Sequence, residues 1–311
     1  MKQYTVTKNE EGRRLDRFIL GILKESSMAF AYKMLRKKNI LLNGQRAKGM
    51  ELLHSGDIVT FYLSDETFSK FSGKASPAID ITSMMPPVVY EDDDVIIVDK
   101  PAGMLTQKSS AKDVSLNEIL LSYAVNKGIT DSSFTPSVCN RLDRNTSGLV
   151  TFARSYKGAR YLTEAFRKRT VKKYYACVCK GVITEDMSLS GKLIKDESKN
   201  TVTISDAEGE GADVITMVHP LSSNDNITLC EIQLITGKTH QIRAHLAAIG
   251  HPIIGDKKYG DGKVNARYKK EYKIDHQMLT CTRMVFPDDK VLAVSGKKID
   301  IGIPGLFKKV M

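Results

Sequence analysis

The chain has 311 residues, 41% of them hydrophobic, enough for a sizeable core in one large domain or two unequal ones. Lys and Arg number 47 against 36 Asp and Glu, and the resulting +11 favours a polyanionic partner, either nucleic acid or an anionic membrane surface. No apolar run approaches the roughly 18 residues of a membrane span, and the opening MKQYTVTKNEEGRR lacks an apolar signal region, so the expected place of action is the cytoplasm. The five cysteines (Cys139, Cys177, Cys179, Cys230 and Cys281) are odd in number and lack paired CxxC spacing, which argues for reduced thiols over a zinc or disulfide framework.

In chain order, the first compact unit is expected over residues 12–63. Leu15, Phe18, Ile19 and Ile22 repeat at helical spacing, as do Ala31, Met34 and Leu35, so two helices can bury one apolar face. The cations between Arg13 and Lys48 are opposed only by Asp16 and Glu25, which leaves a one-signed surface. Arg14, Arg17, Lys33, Arg36, Lys37, Lys38 and Lys48 are its candidate phosphate contacts; such contacts give salt-dependent affinity with little base specificity. The turn in LLNGQ leads on to the strand-like HSGDIVTFYL, where Gly56 and Asp57 supply the turn before alternating β-branched and aromatic residues. RRLDRFIL, AYKMLRKKNILLNGQ and HSGDIVTFYL together resemble an S-four-like RNA-binding domain, which implies that this unit anchors RNA and does not catalyse.

Residues 64–86 mix Ser, Lys, Gly and Pro with isolated apolar residues and read as a partly ordered linker. Beyond it, residues 87–311 carry short β-rich runs (VIIVDKP, GLVTFAR, KKYYACVC, NTVTIS, DVITMVH, ITLCEIQLI) interrupted by a few helical patterns, the mark of an α+β domain. One helix is expected from Ser155 as N-cap, with Ala159, Leu162, Ala165 and Phe166 on one face. Another follows Thr239, with Ile242, Leu246 and Ile249 at helical spacing.

The chemistry concentrates in CNRLDRNTSGLVTFARS. Asp143 stands between Arg141 and Arg144, whose charges favour the ionised carboxylate and suit it to nucleophilic or electrostatic work. By itself such a run is also a common surface ion pair. LITGKTHQIRAHLAAIGHPIIGDKKYG adds a dense polar set, in which Arg243 lies beside the apolar face of its helix and can reach inward to a buried acid; Asp143 is the candidate partner. His240, His245 and His251 invite a metal reading, but His240 and His245 are five residues apart and do not share a helical face as an HxxxH pair would.

DVIIVDKPAGM, NRLDRNTSGL, KKYYACVCKG and TGKTHQIRAHLAAIGHPIIGD resemble, in order, four signature stretches of the RluA-type pseudouridine synthases, including those that act on large-subunit ribosomal RNA. The resemblance covers nearly the whole chain. It implies a small N-terminal α/β RNA-binding unit followed by a larger mixed, mainly antiparallel sheet domain with flanking helices. It implies isomerisation of uridine to pseudouridine in RNA by a monomer, with no metal or cofactor and no membrane partner. Carried over by position, it makes Asp143 the catalytic carboxylate, Arg243 its partner and Tyr174 an aromatic wall, with Arg141 filling the space of the flipped nucleotide and Leu279 against the uracil ring. Asn140 stands where the family usually has histidine, and Thr280 and Cys281 replace a common His-Ala pair.

The reaction suits such a site. The ribose-to-nitrogen bond breaks, uracil rotates, and a ring carbon joins the same sugar carbon. A carboxylate can serve by stabilising positive charge at the anomeric centre, by removing a sugar proton or by covalent attack. A metal-assisted nuclease built on residues 240–256, a non-catalytic RNA-binding protein and a membrane-surface protein are the rival classes. Intact Asp143, Tyr174 and Arg243 argue against the second, and the scarcity of exposed aromatics in the basic helices against the third.

Overall fold

A computed structural model of the chain describes residues 1–72, 81–129, 133–196, 201–205 and 211–311. The N-terminal unit contains β1 (Lys2–Thr5), α1 (Leu15–Ile22), α2 (Met28–Arg36), β2 (Ile40–Leu42), β3 (Ile58–Phe61) and α3 (Asp65–Ser72). The three strands form their own antiparallel sheet in the order β1-β3-β2. α1 and α2 bury the expected stripes, Leu15, Phe18, Ile19 and Ile22 with Ala31, Met34 and Leu35, in one core with Val59 and Phe61. Asn43 and Gly44 both take left-handed backbone angles, with Leu42 bridged to Gln45, so the Asn-Gly pair makes the tight turn its chemistry favours.

Both edges of this unit differ from the expected 12–63. β1 lies before residue 12 yet pairs residue by residue with β3, and Tyr4 packs on the core. α3 occupies the start of the expected linker and buries Phe68, with Phe71 alongside. Isolated apolar residues look like linker composition, but Phe68 and Phe71 lie on one side of a short helix that finds a ready core. Residues 73–80 of the expected linker lie outside the described residues.

The larger part runs β4 (Val88–Glu91), β5 (Val95–Lys100), α4 (Leu116–Asn126), β6 (Ser137–Val138), β7 (Ser147–Ala153), α5 (Tyr156–Arg167), β8 (Lys172–Lys180), β9 (Met187–Asp196), β10 (Thr201–Ser205), β11 (Ala212–Ser223), β12 (Ile227–Leu234), α6 (Gln241–Ala248), α7 (Gly262–Tyr272), β13 (Leu279–Val285), β14 (Lys298–Asp300) and α8 (Gly305–Lys309). The strands form one mixed sheet in the order β10-β9-β11-β12-β8-β13-β7-β5-β4, with β14 beside β13 and β6 beside β7. Its one parallel neighbour pair among the described residues is β13 with β7. Ser155 caps α5 by accepting from the Gly158 amide, as the sequence predicts. Cys177, Cys179 and Cys230 are fully buried free thiols in the sheet. Among the described residues no helix is long and apolar enough to cross a membrane.

The two parts touch through a polar contact. Glu10, buried, accepts hydrogen bonds from the Ser133 amide and hydroxyl, and Arg13 Nη1 donates to the same hydroxyl at 2.8 Å. A Cβ on Gly21 would sit 2.0 Å from the Ser133 carbonyl oxygen, so α1 meets the larger part at a point where only glycine fits.

Candidate active site

Asp143 sits on the segment that leaves β6 and enters β7, and several contacts hold this segment still. Its carbonyl accepts from the Thr146 amide to close a turn. Thr106 donates its hydroxyl proton to the Leu142 carbonyl and accepts from the Leu142 amide. Lys100, fully buried, donates to the carbonyls of Pro101, Met104 and Arg144 at 3.1, 2.9 and 3.1 Å. Burial pushes this ammonium down to about 8, while Asp143 and Asp99 pull the other way. Gly148 then enters β7 at φ +109°, where an added Cβ would meet the backbone nitrogen of Cys281 at 2.5 Å. The turn after the acid and the close β7–β13 approach both demand glycine here.

The Asn140 side chain accepts from the Thr151 amide and hydroxyl at 2.7 and 2.9 Å. The residue that departs from the family's usual histidine thus ties the two sides of the β6–β7 hairpin together.

Arg243, on α6, meets the acid as expected: its Nη1 donates to Asp143 Oδ2 at 2.9 Å. The other edge of the guanidinium makes a bidentate pair with Asp256, at 2.6 and 2.8 Å. Asp256 lies in the GDKKYG turn and was not singled out from sequence. Burial alone would raise its carboxyl, but the hydrogen bonds and charge of Arg243 win and hold it below the usual range. It also accepts from the amides of Lys258 and Tyr259, so this turn is an acid-centred cap that fixes Arg243. Its nearest sequence signal was position: an acid two residues beyond an Ile-Ile run and followed by polar turn residues.

His240 takes a left-handed angle at the start of α6, and its Nε2 lies 3.8 Å from Asp143 Oδ2. Its Nδ1 is 2.9 Å from the Tyr259 hydroxyl, which itself accepts from the Val202 amide. Burial lowers the imidazole's proton affinity more than the Asp143 carboxylate raises it. His245 instead faces Thr216 and His251 faces the Lys180 carbonyl, so the three histidines do not converge. Among the described residues no group of three or more His, Cys, Asp or Glu is placed to hold a metal ion.

These groups open onto a cavity of about 950 Å³, which Asp143, Arg141, Arg243, His240 and Leu279 all line. Tyr174 does not. It lies on the opposite side of β8, with the Arg283 guanidinium 4.1 Å from its ring centre, and Tyr175 lines the cavity in its place. Successive side chains on a strand alternate, so only one of two adjacent tyrosines can face the cavity, and the register that decides between them comes from the pairing of Tyr175 with Cys281 and Ile232.

In the N-terminal unit, Arg17, Lys33, Arg36, Lys37, Lys38 and Lys48 are exposed. Arg14 is ion-paired to buried Asp16 at 2.6 Å, and so is less available than the others.

The profile of a family described as RNA pseudouridylate synthase matches residues 94–248. The chain is 30% identical to an uncharacterized RNA pseudouridine synthase of Mycoplasma pneumoniae over 91% of this chain and 88% of that protein. It is 29% identical to the ribosomal large subunit pseudouridine synthase C of Vibrio cholerae over 94% of this chain and 90% of that one. The solved structure of human RNA pseudouridylate synthase domain containing 4 superposes with a TM-score of 0.57 at 21% identity, covering 71% of this chain and 90% of the human one, a likeness of fold.

Proposed function

This chain belongs to the RNA pseudouridine synthases of the RluA type and isomerises uridine to pseudouridine in RNA, and from that premise we propose that its substrate is large-subunit ribosomal RNA and that Asp143 is the group acting at the sugar. One observation carries the residue assignment. Asp143 is the one carboxylate among the described residues lining the cavity, and it is held in a fixed rotamer by an arginine that is itself clamped by a second acid. All three routes open to a carboxylate at the anomeric carbon need such an oriented group.

The target base must leave its stack, at a cost of about a few kcal/mol, and be held flat. Tyr175 supplies the aromatic wall and Leu279 the aliphatic contact, while exposed Arg141 at the rim fills the space left behind. Ribosomal RNA as the substrate is supported by the Vibrio cholerae relative's name and by the cationic N-terminal unit, whose S-four-like pattern suits backbone anchoring. One chain supplies every group of this site, and the enzyme acts as a monomer in the cytoplasm.

Pseudouridine mapping of total RNA by chemical labelling and primer extension, in cells with and without the gene, tests the substrate. A missing signal in large-subunit ribosomal RNA is expected; a missing signal only in transfer RNA would replace that substrate. With purified protein, Asp143→Asn should stay folded and RNA-bound yet lose tritium release from carbon-five-labelled uridine RNA. Retention of more than about a twentieth of the wild-type rate would remove Asp143 from the role.

A further inference from the structure

Within the cavity, the start of β8 carries a group that the chemistry above leaves unused. Lys173 lies on the same strand face as Tyr175, two positions earlier, and like Tyr175 it lines the cavity. Its Nζ approaches the turn after β12 closely enough that a Cβ on Gly237 would be 3.0 Å away. The next residue of that turn, Lys238, is exposed and lines the same cavity, as does exposed Arg169 at the end of α5. Arg169 takes φ +60° in the turn after α5.

Among the described residues lining the cavity, no carboxylate is paired with this cluster. Asp143 is the only acid among the described lining residues, and Arg243 already occupies it. The groups that act electrostatically on Lys173 are the Cys281 thiol, itself pushed up to about 12 by burial and so neutral, and the like-charged Arg169. Burial accordingly lowers the Lys173 ammonium below its usual range. The Phe166 ring, 5.9 Å from Lys173 Nζ, offsets part of this burial through its π face but carries no negative charge, so the half-buried cation still gains from a ligand that supplies an anion. A neutral uracil cannot offset three cations, whereas every nucleotide of an RNA brings a phosphodiester.

We propose that Lys173, flanked by Arg169 and Lys238, binds an RNA backbone phosphate adjacent to the flipped uridine and so adds affinity and fixes the register of the RNA at the cavity. The inference rests on reading this cavity as the uridine site. The phosphate contact sets affinity and register, and the carboxylate does the chemistry.

The test uses the full chain and a large-subunit ribosomal RNA transcript that the wild-type enzyme converts. Lys173→Met should raise KM about tenfold with the saturated rate within about threefold, and Lys173→Arg should restore most of the affinity. The slope of log affinity against log salt should flatten by about 0.7 to 0.9, one phosphate's share. Unchanged KM and slope would overturn the proposal, as would a fall in saturated rate at constant KM, which would assign Lys173 to the base or sugar instead.

A second arm works from the RNA side and needs only folded wild-type enzyme for its first reading. Single methylphosphonates are placed on either side of the uridine in a short stem-loop, each removing one charge. One of them should weaken wild-type binding by the same factor as Lys173→Met, and should weaken that variant no further. Equal losses in both proteins, or no loss at either position, would overturn the phosphate contact. If the wild-type enzyme converts no ribosomal transcript at all, the substrate reading fails first, before Lys173 is in question.

Discussion

Tyr174 and Tyr175 occupy neighbouring positions on β8 but belong to different environments. Tyr175 shares the cavity with Asp143, while Tyr174 stacks on Arg283, which is also paired with Glu231 at 2.8 Å. Stacking of a base on an aromatic ring is worth about 1–3 kcal/mol, so Tyr175→Leu should lower kcat/KM by roughly 10- to 100-fold. Tyr174→Leu forfeits a half-buried cation–π contact of about 0.5–2 kcal/mol outside the cavity and should leave kcat/KM within about threefold of wild type. Steady-state kinetics of the two variants on one transcript decide it; the reverse ranking would return the aromatic role to Tyr174.

At the scale of elements, the site is a junction of α6, the segment before β7 and the turn after α6. α6 is pinned to β11 by Gln241, whose amide donates to the Ile215 carbonyl and the Thr216 hydroxyl, both at 3.0 Å. Arg243 then joins α6 to both acids, and Asp256 carries the load of its charge in a dry setting. Breaking such a buried pair costs about 3–5 kcal/mol because the remaining charge is left without compensation. Asp256→Asn should therefore lower stability by about that much at pH 7 and displace Arg243 from Asp143. The folded Asp256 carboxyl titrates below its unfolded value near 4. Its contribution is present above that value and is lost as pH falls through the lower folded one, so the gap between wild type and variant should narrow below about pH 4. Thermal unfolding across pH 3 to 7 measures this. A gap that stays constant over the range would show that the loss comes from packing and not from the ion pair.

For the whole molecule, the question is how the proposed RNA-anchoring surface and the proposed catalytic cavity, on separate cores, act together. Glu10 and Arg13 meet at Ser133, and Arg13 also lies over the Tyr156 ring of α5 at 5.5 Å, so the two parts are joined by specific contacts as well as by chain. Because α3 belongs to the N-terminal core, a truncation after Leu63 would strip Phe68 from it and confuse binding with folding. Charge neutralisation is the cleaner probe. Replacing Lys33, Arg36, Lys37 and Lys38 with Gln should flatten the salt dependence of RNA affinity by roughly 3 and raise KM, with kcat within about twofold. Binding isotherms at several salt concentrations, with single-turnover rates at saturation, separate the two quantities. Unchanged affinity and slope would remove the anchoring role from this face.

Much of this was legible in the chain itself, because it is written in near neighbours. The stripes of α1, α2 and α5, the Ser155 cap, the Asn43-Gly44 turn and the β-rich runs all depend on spacings of a few residues, which local sterics and burial convert directly into structure. The inward reach of Arg243 was readable from its place beside an apolar helix face, and the motif order pointed to Asp143 as its partner. Other features wait on tertiary structure. The choice of Tyr175 over Tyr174 depends on strand register, and the pairing of β1 with β3 joins residues far apart in the chain. Lys100 is called for by three carbonyls that converge only when the Asp143 segment folds over it, and Asp256 by a guanidinium delivered from α6. Lys173 reads as an ordinary strand cation until the sheet closes around it and, among the described residues lining the cavity, leaves only Asp143 as an acid, already paired with Arg243. Spacing reports what a residue does to its own helix or strand; desolvation and the long-range pairing of charges exist only once the chain has closed on itself.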